Sequence, residues 1–93
     1  MEQAVTEMNP ILEQVLRENG FQQKAGVWSR QNLVSAGLAT MVVRPSTELD
    51  RKRITPVTYG TEFVCVIEVG DDRIEQLRSA DQVLSLLAIF LTG

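Results

Sequence analysis

The stretch "TEFVCVIEV", Thr61 to Val69, decides how this chain folds. Phe63, Cys65, Ile67 and Val69 fall on one side of an extended chain, and Glu62, Val64, Val66 and Glu68 on the other, the period of two that marks a strand. The first side is apolar throughout and reads as core. The second is polar at its ends and apolar in its middle. A strand of this kind needs sheet partners and a covering layer, and the flanking sequence supplies candidates for both.

Upstream, "NPILEQVLRENGF" carries start and stop signals for a helix. Asn9 can cap, Pro10 suits the first helical position, and Gly20 can take the left-handed conformation that ends the helix, with Phe21 folding back on Leu16. Ile11, Leu12, Val15 and Leu16 form its apolar stripe, with Val5 and Met8 extending it through a fraying turn over residues 2–8. Lys24, Ala25 and Gly26 then form a tight turn between short strands at residues 21–23 and 27–31. After a break at "NLVSAG", residues 38–44 form a β-rich run that stops at Pro45. The proline-bounded stretch from Pro45 to Pro56 is the longest loop candidate, in which Ser46 with a nearby acid could start one helical turn. The next strand is expected to begin near Val57 and to bend at Tyr59 and Gly60.

Downstream, "GDD" closes the strand and "RIEQLRSADQVLSLLAIFL" follows as one helix or two, with Ser79 and Gln82 at capping-box spacing marking a start at Ala80. The expected fold is therefore α+β: a two-layer sandwich ordered helix, three or four antiparallel strands, helix, with both helices on one face of the sheet. Ninety-three residues allow a single domain spanning 1–93.

Composition narrows the function. Nine Lys and Arg against twelve Asp and Glu leave a net charge of -3, which speaks against a nucleic-acid binder. Histidine is absent and cysteine occurs once, so the Ser-His-Asp, Cys-His and common zinc arrangements are excluded, and no glycine-rich phosphate cradle occurs. No catalytic residue, cofactor or small-molecule substrate is indicated, and the expectation is a protein without enzymatic activity. Asp71, Asp72 and Glu75 lack the spacing of a calcium loop and read as a solvated turn rather than a metal site. The start of the chain lacks the basic and long apolar stretches of a signal peptide, and lone Cys65 in an apolar run fits a reducing compartment, so a cytoplasmic protein is expected.

Two surfaces stand out. The terminal "VLSLLAIFLTG" is too short to span a bilayer, yet it is apolar nearly all round. A stripe of Val83, Leu84, Leu87 and Leu91 can face the sheet, which leaves Leu86, Ile89 and Phe90 for a second covering partner. These three, with Trp28, are the expected interface of a homo-oligomer or of a complex with another protein. The other surface is basic: Arg44, Arg51, Lys52 and Arg53 could contact a polyanion or an acidic partner, although Glu48 and Asp50 lie among them.

The segment "ILEQVLRENGFQQKAGVWSR" resembles the opening of several small bacterial α+β families. The later "MVVRPSTELDRKRITPVTYGTEFVCVIEVG", with its closing helix, is similar in layout to tail-terminator and neck proteins of long-tailed phages. That resemblance implies a non-enzymatic structural protein that assembles into rings.

Overall fold

The computed structural model describes residues 8–54 and 60–92. Its elements run α1 (Pro10–Glu18), β1 (Gln22–Lys24), β2 (Val27–Val34), β3 (Gly37–Pro45), α2 (Glu48–Arg53), β4 (Phe63–Val69), β5 (Asp72–Arg78) and α3 (Ala80–Thr92). The five strands form one antiparallel sheet in chain order. The α+β class is as expected. The strand count is higher, and a third helix occupies the expected loop.

α1 follows its capping signals closely, while of its expected stripe Leu12 and Leu16 are buried and Ile11 is exposed. The Asn9 side chain accepts from the Ile11 and Leu12 amides at 2.9 and 3.3 Å. At the other end Gly20 takes φ +83, and the amides of Gly20 and Phe21 donate to the carbonyls of Arg17 and Leu16 at 3.2 and 3.0 Å. This paired bonding is the Schellman stop, and it turns Phe21 into the core beside Leu16.

The largest departure from the sequence reading is β5. Ile74 and Leu77, three apart, mimic a helical stripe, and the segment was expected to be helical. Gly70 at φ +60 opens a two-residue turn with Asp71, and such a turn returns the chain directly along β4, with Val69 opposite Asp72 and Phe63 opposite Arg78. Leu77 then pairs with Val64 and is buried beside it, while Ile74 pairs with Ile67 on the other face. The expected strand start at Val57 and the bend at Tyr59 lie outside the described residues, as does most of the turn before Met8.

The sheet is covered on both faces. On one, Leu12 and Leu16 from α1 and Val83, Leu87 and Phe90 from α3 pack on Trp28, Met41, Val43, Phe63 and Cys65. The rings of Phe21 and Phe90 lie 6.4 Å apart. Asn32 on β2 donates to the Phe90 carbonyl at 2.9 Å, which fixes the end of α3 across the sheet and satisfies a helix-end acceptor. On the opposite face Ile54, just after α2, joins Val64, Val66 and Leu77 in a second small core edged by Val42. At about 1.5 to 3 kcal/mol per buried side chain, those four residues contribute as much as the net stability of a small domain. The apolar middle of the outer side of β4 is thereby explained.

One turn is strained. Ala25, between β1 and β2, sits at φ +53 ahead of Gly26 at φ +78, the pair of left-handed residues that a type I′ hairpin needs. Alanine pays a steric cost there that asparagine largely avoids. Ala25→Asn should raise stability by about 0.5 to 1 kcal/mol, read as a rise of several degrees in the thermal midpoint. An unchanged or lower midpoint would show that the turn is relaxed.

Candidate interface at the end of α3

α3 begins where Ser79 accepts from the Gln82 amide at 3.3 Å. Its buried stripe is Val83, Leu87 and Phe90, with Leu84, Leu86 and Leu91 half-buried. The stripe is therefore rotated from the expected one: Phe90 faces inward rather than outward. Trp28 is also inside the core, 2% exposed, with the Arg17 guanidinium 5.6 Å from its ring centre. Of the four expected interface residues, the structure buries Trp28 and Phe90 within the chain and leaves Leu86 and Ile89 together at the surface. Ile89 is 68% exposed.

These two residues form one wall of an open apolar groove of about 160 Å³, lined also by Val34, Ala39, Ile67, Val69 and the side of Phe90. Geometry accounts for it. Thirteen helical residues span about 20 Å, whereas the nine of β3 span about 30 Å. α3 runs from the end of β5 to the Asn32 contact on β2 and leaves the corner holding Ile67 and Val69 only partly covered. Ile74, 58% exposed, carries the apolar surface from Ile67 to the sheet edge. Leu33 and Leu38, opposite each other near the β2–β3 turn, are exposed on the other face.

The basic cluster has a different character from its sequence. Thr47 and Asp50 form a capping box, in which the Thr47 hydroxyl accepts from the Asp50 amide and the Asp50 carboxylate accepts from the Thr47 amide. Asp50 is buried, and Arg44 grips it with two hydrogen bonds of 2.5 and 2.8 Å. Arg53 bonds Asp50 at 3.1 Å and Glu75 at 2.6 and 3.1 Å. Arg51 donates to the Ser46 hydroxyl at 3.3 Å, and Lys52 is exposed. Three of the four cations thus help hold α2 against the outer face of the sheet.

The Arg44 guanidinium holds the Asp50 carboxyl well below the usual carboxylate range, against the opposing effect of burial. Arg53 lowers Glu75 in the same way. Asp71 and Asp72 are exposed at their turn, and Glu75 is committed to Arg53. Among the described residues no group of acids, histidines and cysteines is placed to hold a metal ion. Burial pushes the Cys65 thiol up to about 11, the condition of a structural cysteine rather than a nucleophile.

Sequence reasoning missed Asp50 as a buried ion and Ile74 as surface. The Thr47 to Asp50 spacing was a usable signal for the first. Comparisons with protein-family models, with curated proteins and with solved structures gave no match. Among the described residues no helix is long and apolar enough to cross a membrane.

Because Asp50 and Glu75 are more acidic in the folded chain than in the unfolded one, the folded state binds fewer protons in acid. Their contribution is fully present above the unfolded carboxylate values near 4 and is lost as pH falls through the folded ones. Asp50→Asn should cost about 2 kcal/mol at neutral pH and flatten the loss of stability below about pH 4, as followed by denaturant melts across pH. A variant with the same acid limb as the parent would remove Asp50 from this role.

Proposed function

We propose that this chain is a non-enzymatic interaction or assembly module that associates with another protein surface through the groove beside α3. The observation that supports this reading is the convergence of Leu86 and Ile89 with Val34, Ile67 and Val69 on one open, almost wholly apolar corner. A corner like this, flanked by exposed Ile74, has the makeup of an interaction patch. The histidine-free composition and the engagement of Glu75 and Arg44 in structural ion pairs give catalysis little to work with. Binding of a polyanion through Arg44, Arg51, Lys52 and Arg53 is the weaker alternative, because such a ligand would compete with Asp50, Glu75 and Ser46 for three of these cations. Ring assembly of the kind found in phage tail and neck proteins is one form the proposed association could take.

Ile89 is the clean probe, because its side chain is outside the core. Ile89→Lys should leave the thermal midpoint nearly unchanged and abolish association, measured by light scattering on a sizing column or by retention of a co-purifying partner. If the parent and the variant are indistinguishable in both assays, the groove is not an interface.

A further inference from the structure

β5 is an edge strand of full length. Its seven residues pair with β4, and among the described residues nothing pairs with its other side. The direction of its hydrogen-bonding groups follows from the turns. A two-residue turn closes on a hydrogen-bonded pair, so Val69 with Asp72 is such a pair, and Ile67 with Ile74 and Cys65 with Gln76 repeat it along the ladder. The same parity results from counting inward from the β2–β3 turn, where Val34 opposes Gly37. Arg73, Glu75 and Leu77 therefore point their amides and carbonyls away from the sheet.

An unpaired edge with this pattern can join a second copy of itself only in certain registers, because a twofold axis must oppose residues of like hydrogen-bonding direction. Centred on Arg73 or on Glu75, the pairing sets like charges against each other. Centred on Gln76, it opposes Glu75 to Leu77 and Ile74 to Arg78. Centred on Ile74, it sets Ile74 against its own copy, Arg73 against Glu75 of the second copy on both sides, and Asp72 against Gln76. Within one chain Arg73 and Glu75 already approach to 3.7 Å, so their charges lie on the same side of the strand. A register centred on Leu77 opposes Gln76 to Arg78 and Glu75 to Ser79 and so gains no pair of opposite charges, and of those centred on residues 73 to 76 only the one at Ile74 is complementary in both charge and polarity. The charges that deter pairing in the other registers favour it in this one.

We infer that the chain forms a symmetric dimer in which two β5 strands pair antiparallel about Ile74, extending the sheet across the twofold axis. This rests on the reading of the chain as an interaction module and names its partner as a second copy. Ile74 adjoins Ile67 in the groove, so the two apolar corners face one another across the new strand pair.

The test uses sedimentation velocity of the full chain across the micromolar range, with amide exchange by NMR as the structural readout. Arg73→Glu opposes two acids on each side of the axis and should weaken the dimer about tenfold or more; Gln76→Lys gives Asp72 a cation to face and should tighten it. The Arg73 and Glu75 amides should exchange fast in dilute protein and gain protection as the dimer forms. Arg73 contacts exposed Glu68 and lies 3.7 Å from Glu75, which Arg53 also holds, so a thermal melt of its variant is read beside the dimer constant, and the opposite response of Gln76→Lys separates register from damage. A parent that stays monomeric overturns the inference. So does a dimer that ignores both substitutions while the Arg73 and Glu75 amides still exchange; if Ile89→Lys dissolves that dimer, the groove reading survives alone, and if it does not, retention of a co-purifying partner decides the groove reading separately.

Discussion

An inner strand that is apolar on both sides needs two covers, and the layout of this chain follows from meeting that demand with few residues. β4 presents Phe63 and Cys65 to one face and Val64 and Val66 to the other, all buried. α1 and α3 close the first face. Ile54, brought in by α2, closes the second. Each cover is anchored by polar contacts where apolar packing alone gives no direction: Asn32 on the Phe90 carbonyl for α3, and Arg44 on Asp50 for α2.

The second cover is the more demanding. Six helical residues are far below the length at which a helix is stable alone, so α2 depends on its capping box and on its ion pairs. Burying Asp50 would be unfavourable without the two-pronged Arg44 contact, and with it the carboxylate becomes a fixed point for both Thr47 and Arg53. What looks in sequence like a basic binding patch is largely the fastening of a lid.

Much of this was legible in the residues. Period-two alternation gave β4, the Asn9, Pro10 and Gly20 signals gave α1 with its stop, and Ser79 gave the start of α3, because each of these is a local effect. β5 was misread because Ile74 and Leu77, three apart, fit a helical stripe but fall on opposite faces of a strand, and the two-residue turn at Gly70 and Asp71 imposes the strand. The inward turn of Phe90 was not legible either. On a helix apolar nearly all round, several stripes compete, and the contact with Phe21 selects one only after the chain has folded. The surplus apolar character of α3 narrows in the structure from three residues to Leu86 and Ile89.

The same economy explains the open corner. One helix of 13 residues crossing from β5 to β2 cannot cover all of the face it lies on, and the uncovered part is apolar and reaches the β5 edge of the sheet. The most direct measurement is the accessibility of individual methyl groups to a soluble paramagnetic probe as the protein is diluted. Ile74, Leu86 and Ile89 should be shielded in concentrated solution and uncovered on dilution, while Leu33 and Leu38, exposed on the opposite face, stay accessible throughout. Ile74 and Ile89 remaining as accessible as Leu33 at every concentration would contradict the account.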